Sequence, residues 1–274
     1  MPLSTDFPDV RRPDAATVLV SPWIVPAAGL QAPAAASVLA EWEHRQRPDA
    51  MLSLTAFLST DGSHVLHYAQ WTDDDAHREW VRTGRPAAVR RIDRALAGIR
   101  RPGPVRYRWY RSHVPAETAG LRPGLLVTPA HATDGPAAQR AVADTVVAVL
   151  REERVPGLLG VHLHLSRDGR RVLRYTEWTD DAAWHAHAGG GHAARLDAAL
   201  AGLAGVAPAP AVGPAGAAPP DREAAAHPDL PAVPRYHLYG SLLNVAPPQG
   251  ARQALPRAPL PRRHPRAPGP GTHF

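Results

Sequence analysis

Residues 59–74, Ser-Thr-Asp-Gly-Ser-His-Val-Leu-His-Tyr-Ala-Gln-Trp-Thr-Asp-Asp, return as residues 166–181, Ser-Arg-Asp-Gly-Arg-Arg-Val-Leu-Arg-Tyr-Thr-Glu-Trp-Thr-Asp-Asp. Asp61 and Asp168, Tyr68 and Tyr175, and Trp71 and Trp178 are each 107 residues apart. A period of that length is one whole small domain, which makes the chain a duplication rather than an array of short repeats. In each copy an Asp-Gly pair separates two alternating apolar runs, the pattern of a β-hairpin closed by a tight turn.

Working outward, residues 17–25 are β-branched and alternating and read as a first strand, repeated at 125–132. Ser21-Pro22 matches Thr128-Pro129 at the same offset, and a proline there predicts an edge or a bulge. Residues 34–47 carry Ala35, Val38, Leu39 and Trp42 at helical spacing, with 137–154 as the counterpart. The hairpin strands are expected at 51–59 and 64–71, then at 158–166 and 171–178. After each tryptophan, Thr-Asp-Asp predicts a capped helix start. That helix resumes after a break at 89–99, and in the second copy at 194–203. A last strand at 105–111 is echoed from Arg235 onward.

Each copy therefore reads β-α-β-β-α-β, the ferredoxin-like arrangement of a four-stranded antiparallel sheet with both helices on one face. The fold class expected is α+β, with two tandem domains packing sheet to sheet, because each open sheet face must be covered. The domains run over 17–112 and 124–247, after a lead of 1–16 and around a linker of 113–123. An Ala/Pro-rich insertion at 206–234 is expected to be a mobile loop, and the Pro/Arg-rich tail at 248–274 to be disordered.

Composition removes whole classes of chemistry. The chain has no cysteine, which excludes disulfides, thiolate nucleophiles and Cys-ligated metal. It has no lysine either, all 31 basic residues being arginine, which excludes Schiff-base chemistry and a phosphate-loop lysine. The net charge is +6, and Arg252, Arg257, Arg262, Arg263 and Arg266 lie in a tail without acids, so 6 − 5 leaves about +1 elsewhere. A nucleic-acid surface would instead place its charge on a folded face. No apolar run reaches the roughly 20 residues of a membrane span, and no signal-peptide pattern opens the chain, which points to a cytoplasmic protein with neither a membrane nor a nucleic-acid partner. His162, His164, His185, His187 and His192 cluster in the second copy without a ligand motif of known spacing, and no metal or other cofactor is expected.

Strand alternation puts Val65, His67, Ala69 and Trp71 on one face of their strand, and Leu66, Tyr68 and Gln70 on the other. His67 and Trp71 can therefore line one pocket, with His77 overhanging it from the following helix. Tyr68 and Gln70 are further candidates for contact with a substrate.

The run STDGSHVLHYAQWTDDDAHR, residues 59–78, resembles the antibiotic biosynthesis monooxygenases, and the resemblance covers both copies, roughly 17–112 and 124–246. It implies an intrachain version of a dimeric α/β barrel, the chain acting as a pseudo-dimer that is monomeric or forms a homodimer. It also implies cofactor-free oxidation of an aromatic polyketide, an anthrone or dihydroxyaromatic, to its quinone with O₂. The family pairs an Asn with a Trp four residues later, then a Tyr six residues beyond, then an Arg. In this chain those positions hold His67, Trp71, His77 and Arg91 in the first copy, and Arg174, Trp178, Trp184 and Arg195 in the second. The first set is assigned to catalysis and the second to substrate binding. A histidine suits a base near neutral pH, and Trp N–H and Arg suit donors to an oxyanion. Two other functions remain open on these residues: a polyketide cyclase or isomerase of the same fold, and a catalytically silent binding or scaffold protein.

Overall fold

The computed structural model describes residues 3–43, 48–84, 92, 96, 98–209 and 233–243. The first half contains β1 (Thr17–Ile24), α1 (Gln31–Glu43), β2 (Met51–Ser59), β3 (His64–Trp71), α2 (Asp74–Thr83) and β4 (Val105–His113). The second contains β5 (Leu125–Val127), β6 (Ala130–Thr133), α3 (Pro136–Glu152), β7 (Leu158–Ser166), β8 (Arg171–Trp178), α4 (Asp181–Ala188), α5 (Gly191–Ala201), β9 (Val206–Ala209) and β10 (Arg235–Leu243).

The hairpins β2–β3 and β7–β8 form as the repeat requires. Gly62 and Gly169 adopt φ of +79° and +78°, a conformation that favours glycine. Asp61 holds its turn by accepting from Ser59 Oγ at 2.6 Å and Ser63 N at 3.0 Å. Asp168 does the same with Ser166 Oγ at 2.6 Å and Arg170 N at 3.0 Å. Asp73 caps α2 by accepting from Ala76 N at 2.7 Å, and Asp180 caps α4 by accepting from Ala183 N at 2.8 Å. Each long helix is latched to its hairpin by one glutamine. Gln31 Nε2 donates to Ser59 O, Ser59 Oγ and His64 O, and Gln139 Nε2 donates to Ser166 O, Ser166 Oγ and Arg171 O.

The strands form a single antiparallel sheet in the order β5-β10-β2-β3-β1-β4-β7-β8-β6-β9, and β5 also pairs with β8. Eight strands thus close into a barrel, from which β6 and β9 diverge. The expected α+β fold and barrel are present, with the strands of the two halves joined in one sheet where sheet-to-sheet packing was expected. The sheets are continuous, because β4 and β10 are nine residues long and only their first residues pair within their own half. The remainder of β4 pairs with β7, and that of β10 with β2. The first strand of the second half breaks at Thr128-Pro129, where proline cannot donate to a ladder; both pieces stay on β8, but β5 has β10 on its other side and β6 has β9. The segment expected to open a loop at Val206 instead adds β9 along β6. The rest of that insertion and the tail lie outside the described residues. Met1–Asn244 form one compact unit.

Three apolar clusters follow from this closure. One fills the barrel with Phe57, Leu66, Tyr68, Tyr107, Leu173, Tyr175 and Tyr236. The other two lie outside the barrel wall, one in each half, between the sheet and its helices. No helix among the described residues is long and apolar enough to cross a membrane.

Candidate functional site

Two cavities occupy equivalent places, each between the outer face of the sheet and the helices of its half. The first measures about 130 Å³, and its lining includes Ser21, Trp23, Trp42, His67, Trp71, His77 and Trp80. The second measures about 220 Å³, and its lining includes Pro129, Arg174, Thr176, Trp178, Trp184, His187 and Asp197. Both fall below the roughly 300 Å³ at which pockets for drug-sized ligands begin. Each suits a small aromatic body.

In the first cavity, β3 sends His67 and Trp71 outward, while Tyr68 on the same strand turns into the barrel. The ring of His67 is buried, and neither nitrogen has a hydrogen-bond partner among the described residues. The backbone of Ser21 on the adjacent strand lies near enough to raise its pKa without completing a bond. Burial dominates and, despite Ser21 and with help from the positive charge of Arg101, holds the imidazole down to about 4. At neutral pH it is an uncharged ring with an acceptor lone pair. Trp23 meets it edge-on with centroids 4.8 Å apart, and the Arg101 guanidinium lies 4.2 Å over the Trp23 ring.

His77, from α2, is buried beside Trp71 at 5.0 Å and Trp80 at 5.8 Å. Arg106 of β4 donates from Nη2 to His77 Nδ1 at 3.0 Å and pairs with Asp74 at the start of α2. A guanidinium can only donate, so Nδ1 accepts and the neutral ring carries its hydrogen on Nε2. Arg106 escaped the sequence reading, although its repetition as Arg235 is visible there. Arg235 likewise reaches Asp181, the counterpart of Asp74, at 3.4 Å, and lies 2.7 Å from His185 Nε2, next to the counterpart of His77.

The second cavity carries the same aromatic frame with two members exchanged. Position 77 holds histidine and its partner at 184 tryptophan, whereas Trp80 corresponds to His187. Interplanar angles survive the exchange: 79° for Trp71–His77 and 69° for Trp178–Trp184, then 41° for Trp71–Trp80 and 39° for Trp178–His187. Trp178 Nε1 donates to Thr176 Oγ1 at 3.1 Å. The equivalent of Thr176 is Ala69, so Trp71 has no such acceptor. In place of His67 stands Arg174, whose Nε is buried without a hydrogen-bond partner among the described residues. Burial lowers its pKa to about 10 against the opposing charge of Asp197, and it stays a cation at neutral pH.

The structure thus brings His67, Trp71 and His77 together in one cavity and Arg174, Trp178 and Trp184 together in the other. It does not bring Tyr68 or Gln70 to either. Tyr68 hydroxyl is 3.0 Å from His164 Nε2 inside the barrel, and Gln70 bonds Ser53 Oγ and the Asp9 carbonyl. Arg195 is half-exposed, pairs with Glu153 and does not line the second cavity. Arg91 lies outside the described residues. Trp80 and His187 could have been found by extending the 107-residue offset nine residues beyond the tryptophans.

Residues 135–198 match the family model described as antibiotic biosynthesis monooxygenase. No curated protein matches the chain. The fold is similar to that of an anthrone oxidase-like protein, with a TM-score of 0.60 at 11% identity over 88% of this chain and 96% of that one. A monooxygenase from the gene ActVA-Orf6 of Streptomyces coelicolor, in complex with nanaomycin D, is 29% identical over 38% of this chain and 99% of that one, with a TM-score of 0.29. A heme-degrading enzyme from Listeria monocytogenes aligns at 11% identity and a TM-score of 0.38, over 70% of this chain and 96% of that one.

Proposed function

We propose, for a chain that belongs to the antibiotic biosynthesis monooxygenase family, that it is a cofactor-independent oxygenase of aromatic polyketides of the anthrone or dihydroxyaromatic kind, working in the first cavity. The single observation that carries this reading is His67, a buried neutral imidazole with both nitrogens unpartnered among the described residues, in a tryptophan-walled cavity. The two halves stand in for the two subunits of a dimer, with 17–112 and 124–247 as the units of duplication.

The chemistry asks little of the protein. An anthrone CH₂ gives its proton to His67, and the resulting anion is electron-rich enough to reduce O₂. One electron passes to O₂, and the aryl radical and superoxide combine into a peroxide anion. That anion takes its proton back from His67. Loss of water then leaves the quinone carbonyl, so CH₂ and O₂ become C=O and H₂O. Burial alone weakens His67 as a base, holding it near 4, and the substrate anion offsets this because the imidazolium forms beside an opposite charge in the same cavity. The Trp71 N–H is assigned to the oxyanion, with His77, held at Nδ1 by Arg106, on the same cavity wall, while the charge of Arg101 over Trp23 adds favourable potential.

Oxygen uptake with dithranol tests this reading. Uptake above the spontaneous background that disappears in His67→Leu supports it. Uptake no greater than background would leave a cyclase or a silent binding protein.

A further inference from the structure

The second cavity holds a charge that the first lacks. Arg174 stands on β8 where His67 stands on β3, and its guanidinium faces a cavity walled by Trp178, Trp184 and the apolar side chains of α3 and β7. No ion pair or side-chain hydrogen bond to Arg174 is present among the described residues, and its Nε is sealed from solvent. Arg174 as a whole is half-buried, so the cation is partly desolvated and gains from a counter-charge that meets it in the cavity. Among the described residues, the one carboxylate lining the cavity is Asp197, which is exposed and makes no ion pair with Arg174. His187 Nδ1 is likewise buried without a partner among the described residues. The Trp178 N–H is already spent on Thr176 and offers a ligand nothing.

We propose that the second cavity is a binding site, distinct from the site of oxidation, for a small aromatic carboxylate whose anionic group pairs with Arg174. The planar guanidinium fork matches a carboxylate, and the aromatic body fills the apolar remainder. A monoanion fits and a dianion such as a phosphate ester does not, because Asp197 on the same wall repels the second charge. Arg174 therefore selects the ligand, and the exchange of His67 for Arg174 has turned a proton-accepting cavity into an anion-recognising one. The inference goes beyond the oxygenase reading and does not depend on turnover.

The test is calorimetric titration of the full chain with 2-naphthoate and with its neutral analogue 2-naphthalenemethanol. The carboxylate binds more tightly by about ten- to hundredfold, the range of one charge-assisted pair. Arg174→Met abolishes that preference with the fold intact by circular dichroism, and Arg174→Lys keeps part of it. Ala193→Phe, which fills the cavity from α5 while leaving the charge, abolishes binding of both probes. Equal affinity for the two probes, or a carboxylate preference that survives Arg174→Met or Ala193→Phe, would overturn the proposal. Only binding is read, so a failure of oxygen uptake in the first cavity and a failure here are separate results.

Discussion

The two cavities are built from one repeated frame and differ most in chemistry at His67 against Arg174, Ala69 against Thr176, His77 against Trp184 and Trp80 against His187, while Trp23 and Trp42 give way to Ala130 and Val149. The frame keeps ring positions and interplanar angles within about 10° while the chemistry at each position changes. A rigid sheet fixes where a side chain starts and a capped helix fixes what overhangs it, so substitution alters charge and proton affinity without moving the site. One half is left with a neutral ring able to accept a proton, the other with a permanent cation.

The largest effect expected on this comparison is on stability. Trp71→Ala and Trp178→Ala each cost about 3–5 kcal/mol in denaturant unfolding, as buried aromatic truncations do. Trp178→Ala costs the more by about 1 kcal/mol, because it also loses the buried Trp178 N–H to Thr176 Oγ1 hydrogen bond. Equal costs would show that this hydrogen bond does not distinguish the halves.

Function separates them next. His67→Leu lowers dithranol-dependent oxygen uptake by about 100-fold or more, the scale of a lost general base. If the variant retained full turnover, the first cavity would not be the reacting one.

The shared frame is tested by the glutamine latches. Gln31→Leu and Gln139→Leu each cost about 1–3 kcal/mol, since each leaves buried acceptors unmet. The double variant shows the sum of the two, the sites being far apart. Strong non-additivity in chemical denaturation would mean that the halves do not fold their helices on independently.

The smallest effect concerns pH. Burial holds the His67 pKa near 4 in the folded chain against 6.5 when it is free, so the unfolded chain binds more protons between those values. Stability is therefore full above about pH 6.5 and is lost as pH falls toward 4, at up to about 1.4 kcal/mol per pH unit from this group. His67→Leu removes that slope, whereas Arg174→Met does not change it, because Arg174 stays charged throughout the window. Melting curves at pH 7, 6 and 5 distinguish the two variants.

Much of this was legible before any coordinates. The 107-residue repeat, the Asp-Gly hairpins, the strand limits at 51–59, 64–71, 158–166 and 171–178 and the helix starts at Asp73 and Asp180 follow from local chemistry. Turn dihedrals, caps and period-two alternation are decided within a few residues. Alternation likewise put His67 and Trp71 on one face. The rest depends on distant partners. That β4 and β10 cross to the other half and close one barrel depends on pairings between residues roughly 50 to 190 apart. The match between Arg106 and His77, the retreat of Tyr68 and Gln70 from the cavity and the diversion of Arg195 to Glu153 depend on which elements meet. The sequence by itself determined the repeated unit and the face each side chain takes. Only the tertiary structure decided which faces became cavities, because burial and unmet hydrogen bonds belong to the packed whole.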